Sequence, residues 1–137
     1  MSGTVIYCRT ANGGMEAIER QLEISRRYGE DNGYTITDEY LDCDESGITI
    51  DRPELQRLLS DIHDGKVSRV IVDEPARLAR NYLLNCELMG IFCKYGVEYI
   101  SVANGGEIDM TWEKEIREGI LALARSRKKK LRANLVV

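Results

Sequence analysis

The chain has 137 residues, of which 43% are hydrophobic and 31% charged, and a formal net charge of -4. This is the composition of one globular domain that buries about two-thirds of its unfolded surface, and it excludes disordered and fibrous classes. No apolar run approaches the roughly 18 residues of a membrane span and no basic, then apolar leader opens the chain, so a cytoplasmic protein without membrane contact is expected.

Strand and helix patterns alternate along the sequence. Val5, Ile6 and Tyr7 mark a strand over residues 4 to 10. Met15, Ile18, Leu22 and Ile24 recur near the helical period over 15 to 31, and Asn32-Gly33 supplies the cap and turn. Residues 34 to 41, "YTITDEYL", read as the second strand, followed by the polar loop "DCDESGITID". Pro53 opens a helix at its favoured first position, with Asp51 or Arg52 in the cap region, Leu55, Leu58, Leu59 and Ile62 inward, and Gly65 at its end. "RVIVD" at 69 to 73 is a β-branched run of the kind found in a central strand buried on both faces. A helix from about Asn81 to Tyr95 carries Leu84, Leu88, Ile91 and Phe92, and "VEYISV" at 97 to 102 is the last strand.

This order predicts an α/β fold with a mostly parallel sheet and helices on both faces. Ligands in such folds meet the carboxyl ends of strands, so the loops after residues 10, 41, 73 and 102 are the places to look for chemistry. Residues 110 to 133 form a longer helix with Ile116, Ile120, Leu123 and Leu131 along it. Its apolar stripe needs a partner, either a second copy in a homodimer or the protein's own sheet.

Charge is unevenly spread. From Arg125 onward there are six basic residues (Arg125, Arg127, Lys128, Lys129, Lys130 and Arg132) and none acidic, against 13 basic and 23 acidic residues before them. This is either a solvated helix end or a polyanion-binding segment. Cys8, Cys43, Cys86 and Cys93 include no Cys-x-x-Cys pair and His63 is the lone histidine, so neither structural zinc nor a disulfide framework is expected.

Four arginines lie near the predicted strand ends: Arg9, Arg52, and Arg77 and Arg80 in "PARLAR". Together they suit a phosphate, because the planar guanidinium matches phosphate oxygens and keeps its charge. Individually they could instead pair with Asp42, Asp44, Asp51, Asp73 or Glu74. The "NGG" repeats lack the surroundings of a nucleotide-binding glycine motif, so no cofactor is expected.

With these residues in view, the chain resembles the catalytic domain of the serine recombinases, the family of resolvases, DNA invertases and large transposon-type integrases. "YCRTA" stands where that family has Tyr-x-Arg-x-Ser, and Gln21 follows in the first helix. "DCDESG" matches Asp-x-x-x-Ser-Gly, "DRPEL" matches Asp/Asn-Arg-Pro, and "ARLAR" matches Asp-Arg-Leu-x-Arg. The match runs in order over about residues 4 to 133.

The resemblance implies a single resolvase-like domain over 1 to 137, with an α/β core to about 105 and a dimerisation helix at 110 to 133. A separate DNA-binding domain would lie outside this chain. It implies strand exchange on double-stranded DNA through a phosphoserine intermediate, in dimers that pair into a synaptic tetramer, with no metal or ATP. Arg9, Arg77 and Arg80, supported by Arg52, would stabilise charge on the attacked phosphate. Tyr7, Gln21, Asp42 and Ser46 would shape the site, and the basic end at 125 to 132 would follow the DNA backbone or minor groove.

The chain departs from the pattern where the nucleophilic serine falls on Ala11 and where the aspartate before the first arginine of "ARLAR" falls on Ala76, with Pro75 departing beside it. A methyl group cannot attack phosphorus. Strand alternation is expected to put Tyr7, Arg9 and Ala11 on one side and Thr10 on the other, so Thr10 is no substitute. The chain is then either a recombinase domain disabled at its nucleophile or a degenerate paralogue that keeps DNA binding or oligomerisation. A flavodoxin-like nucleotide-binding module is the reading from a different class.

Overall fold

A computed structural model describes residues 3–105. The chain alternates β1 (Gly3–Arg9), α1 (Gly14–Asp31), β2 (Ile36–Asp42), α2 (Pro53–His63), β3 (Val67–Val72), α3 (Tyr82–Lys94) and β4 (Glu98–Ser101). Two short 3₁₀ turns, Pro75–Arg77 and Val102–Asn104, follow β3 and β4. The strands form one parallel sheet in the order β2-β1-β3-β4. The predicted α/β class therefore holds, with each strand boundary within two residues of its expected place. The expected helix at 110 to 133 and the basic segment at 125 to 132 lie outside the described residues.

The two faces of the sheet are covered by different helices. On one, Ile6, Cys8, Ile71 and Ile100 pack against Ile18 and Leu22 of α1. On the other, Val5, Tyr7, Val70 and Val72 meet Leu55, Leu58 and Ile62 of α2 and Leu84, Leu88 and Phe92 of α3. Interior strands β1 and β3 are buried on both sides, as the apolar run of β3 anticipates. Among the described residues no helix is long and apolar enough to cross a membrane.

Helix α1 corrects the expected inner face. Ile18 and Leu22 are buried, but Met15 and Ile24 are exposed, and the stripe continues instead through Gln21, Ser25 and Gly29. Those small or polar residues let the helix approach closely: a Cβ on Gly29 would lie 3.0 Å from Ile36 Cδ1. The helix ends at Asn32, whose side chain donates to the Tyr28 carbonyl, and Gly33 turns the chain at φ +73°.

The parallel register decides what stands at the carboxyl edge. Tyr7 pairs with Tyr40 and Arg9 with Asp42, so the first arginine and the first acidic residue of the loop after β2 leave the sheet side by side. β1 ends at Arg9, and Ala11 lies in a bend beyond it. Strand alternation therefore does not extend as far as Ala11.

The α1 geometry makes a direct prediction. Ile18→Ala should cost about 2–5 kcal/mol, and Ile24→Ala should fall within roughly 0.5 kcal/mol of the parent, in urea unfolding. Equal losses at the two positions would contradict this packing.

Candidate functional site

The carboxyl edge of β1 is built around two buried guanidinium groups. Arg9 is 1% exposed and Arg52 0%. Arg9 donates from Nε to the Arg77 carbonyl at 2.9 Å, from Nη1 to Glu45 at 3.0 Å and from Nη2 to Ala76 at 2.7 Å. Arg52 donates from Nε to the Thr49 carbonyl at 2.9 Å and from Nη1 to both Tyr7 Oη and the Arg77 carbonyl, each at 3.0 Å. Its Nη2 donates to the Leu78 carbonyl. Three successive carbonyls of the turn after β3 are thus held by two cations. Such orphan acceptors at the end of a short helical turn need donors, and a charged donor makes the stronger bond.

Asp42 has a different task from the one its neighbours suggest. Its carboxylate accepts from the Glu54 and Leu55 amides, both at 2.9 Å, and from the Tyr7 hydroxyl at 2.7 Å. Arg52 holds the backbone position of the α2 N-cap but makes no side-chain cap bond. The N-cap thus falls in the expected Asp51–Arg52 region, while the capping carboxylate comes from β2 and suits the positive end of the helix. Tyr7 links the two, accepting from Arg52 and donating to Asp42. Burial above all, with the Asp42 carboxylate, raises its pKa far above the usual phenol range, so it remains a neutral relay.

Gln21 braces Arg9 through the backbone. Its Oε1 accepts from the Arg9 amide and its Nε2 donates to the Arg9 carbonyl, both at 3.0 Å, like a neighbouring strand residue. The loop after β2 is pinned to the same place. The Glu45 amide donates to the Thr10 carbonyl at 2.9 Å, and the Arg80 amide donates to the Gly47 carbonyl at 3.0 Å. A Cβ on Gly47 would stand 2.7 Å from Arg9 Nη2 and 3.1 Å from Arg80 Cγ, so only glycine lets this loop lie over the two arginines.

The two later arginines face outward. Arg77 pairs with Asp73 through Nε at 2.9 Å and Nη2 at 3.2 Å, with Glu74 at 3.5 Å. Burial opposes its charge, but the hydrogen bond and charge of Asp73, helped by Glu74, outweigh it and raise the pKa. Arg80 is exposed and makes no side-chain ion pair with a described residue. Burial depresses the Arg9 pKa, as does the repulsion of Arg52, Arg80 and Arg77. Four guanidinium groups thus gather at one edge, where Asp73 and Glu74 pair with Arg77 and no ion pair with a described residue is made by Arg9, Arg52 or Arg80.

Ala11 is exposed beside this edge. The hydroxyls and thiols near it are otherwise engaged. Thr10 is buried, accepts from the Asp44 amide at 3.3 Å and donates to Cys43 Sγ at 3.9 Å. Burial, with the Asp73 and Glu39 charges, pushes the Cys8 thiol up to about 12. Ser46 is exposed in the loop, its Oγ accepting from the Ile48 amide at 3.3 Å. Among the described residues no group of three or more His, Cys, Asp and Glu side chains could hold a metal ion.

Sequence reasoning reached Arg9, Arg52, Arg77, Arg80, Tyr7, Gln21, Asp42 and Ser46, and the fold draws the loops carrying them to one edge. It allowed for pairing of an arginine with Asp73 or Glu74, but it missed the acceptors that hold Arg9 and Arg52. Backbone carbonyls carry no side-chain signature. Gly47 was visible only as the end of a motif, not as a contact surface.

Asp42→Ala should destabilise the protein by about 2–3 kcal/mol, through loss of the α2 cap and of the partner of a buried hydroxyl. Urea unfolding should show a lower midpoint, with amide exchange faster first at Glu54 and Leu55. An unchanged midpoint would contradict the capping role.

The family model described as Resolvase, N terminal domain matches residues 4–135. No curated protein matches the sequence. Among solved structures, the chain is similar to the N-terminal catalytic domain of TP901-1 integrase, at 24% identity and a TM-score of 0.76, over 93% of this chain and 98% of that one. That likeness concerns the fold. It is also similar to a resolvase family site-specific recombinase from Streptococcus pneumoniae, at 28% identity and a TM-score of 0.70, over 98% and 93%. A third is the C-terminal catalytic domain of ISC1926 TnpA, an IS607-like serine recombinase, at 25% identity and a TM-score of 0.68, over 93% and 84%. With this match over residues 4–135 and the parallel sheet, the chain belongs to the resolvase N-terminal domain family, the catalytic domains of serine recombinases, with alanine at positions 11 and 76 of its motifs.

Proposed function

We propose that this chain is the catalytic domain of a site-specific DNA recombinase that engages the DNA phosphodiester at the carboxyl edge of β1 but has lost strand cleavage at Ala11. The observation that carries the reading is the clustering of four guanidinium groups at that edge, with Arg9 and Arg52 bonded to carbonyls and Arg80 without an ion pair among the described residues. Such a fixed positive potential suits an incoming phosphate. Ala11, exposed beside it, offers no lone pair to attack phosphorus.

On this reading Arg77 and Arg80 meet the phosphate from the edge, while Arg9, Arg52, Tyr7, Gln21 and Asp42 hold the scaffold beneath it. Ser46 lies on the loop that closes over Arg9. The basic residues Arg125, Arg127, Lys128, Lys129, Lys130 and Arg132 add contacts to the DNA backbone. The working assembly is a homodimer that pairs into a tetramer on double-stranded DNA in the cytoplasm, and no cofactor takes part in the chemistry. A degenerate paralogue is the second reading, favoured by Pro75 and Ala76 departing from the motif together with Ala11.

The test uses duplex DNA. The chain should bind it with an affinity that falls steeply as salt rises and should form no covalent adduct. Ala11→Ser should then give a denaturant-resistant link to DNA when the protein is joined to its DNA-binding part and offered its recombination site. Good binding without an adduct would favour the degenerate paralogue. Saturable mononucleotide binding with no salt-sensitive affinity for duplex would overturn both readings.

A further inference from the structure

Arg77 is divided chemically in a way the other three arginines are not. A guanidinium has two bidentate edges: one formed by Nε and Nη2, the other by Nη1 and Nη2. In Arg77 the first edge is filled by Asp73, at 2.9 and 3.2 Å. Nη1 makes no hydrogen bond to a described residue, and the second edge meets only the half-exposed Glu74 carboxylate, 3.5 Å from Nη2, which an incoming anion can displace. Arg9 and Arg52, by contrast, have all three nitrogens engaged with protein oxygens.

Asp73 is well placed to fix that orientation. It directly follows β3, its carbonyl accepts from the Ala103 amide at 2.8 Å, and its side chain is only 10% exposed. The backbone of Arg77 is fixed as well, because its carbonyl accepts from both buried arginines. Residue 76, where the resemblance puts a carboxylate, offers only a methyl group and a carbonyl already taken by Arg9. Glu74 touches Arg77 at 3.5 Å from a side chain 47% exposed, a weaker hold.

We propose that Asp73 is a positioning residue: it turns the free edge of Arg77 toward an incoming DNA phosphate, in place of the carboxylate missing at Ala76. This rests on the DNA-binding reading above. The sign of a charge change separates positioning from simple electrostatics. Removing a negative charge beside a phosphate site should tighten binding by attraction alone, whereas removing the group that aims Arg77 should weaken it.

The experiment titrates the full chain with a short DNA duplex at low salt, following amide and arginine Nε–H NMR signals across a salt series. Asp73→Asn should weaken binding roughly fivefold, despite the favourable charge change, and lower the salt slope by about one phosphate contact. Glu74→Gln, which removes the same charge one residue away, should bind as well as the parent or better. Asp73→Glu keeps the charge and a carboxylate partner for Arg77, and it should also weaken binding because the carboxylate is displaced by one methylene. The Arg77 Nε–H signal should be protected in the parent and lost in Asp73→Asn. If both Asp73 variants bind like the parent or Glu74→Gln, the positioning role is overturned. A parent that shows no salt-dependent shifts would instead overturn the DNA reading, and the positioning role with it.

Discussion

Two buried cations and three backbone carbonyls hold this domain's functional edge together. Arg9 and Arg52 both reach the turn after β3 and between them bond the Ala76, Arg77 and Leu78 carbonyls in succession. A buried guanidinium needs its hydrogen bonds filled, and a turn end needs donors for its carbonyls, so each requirement answers the other. Carbonyl dipoles satisfy hydrogen bonds without cancelling charge. The two guanidinium charges are therefore held at the carboxyl edge of the sheet without a carboxylate bonded to either.

The rest of the edge follows from that arrangement. Arg9 can sit there because Gln21 clasps both its backbone groups and Gly47 presents no side chain above it. Arg52 can sit there because α2 begins immediately after it, and α2 begins there because Asp42 caps it across from β2. Tyr7 joins the two halves with one hydroxyl. None of these contacts passes through Ala11, so the scaffold of the proposed phosphate site does not depend on the side chain at that position.

Much of this was legible in the sequence, for identifiable reasons. Element types and order follow from hydrophobic period, Pro53 and the Asn32-Gly33 turn, and strand ends collect the arginines because a parallel sheet has one carboxyl edge. The inner face of α1 misled because Met15 and Ile24 are apolar yet exposed, while Gln21, Ser25 and Gly29 are buried for close approach and a backbone clasp. Arg52 stands at the α2 N-cap, within the expected region, but the capping acceptor was not legible because Asp42 lies ten residues earlier in sequence, at the end of β2. The partners of Arg9 and Arg52 were invisible because they are main-chain oxygens, available at any residue type.

On the proposed reading, the clustered guanidinium groups make this edge an anion site. Unfolding midpoints in inorganic phosphate and in chloride at matched ionic strength test it most directly, for the parent and for Arg77→Gln/Arg80→Gln. Phosphate stabilises proteins generally by exclusion from their surfaces, so the informative quantity is the extra shift that requires the two arginines. The account predicts a larger phosphate shift in the parent than in the double variant; equal shifts in the two proteins would contradict it.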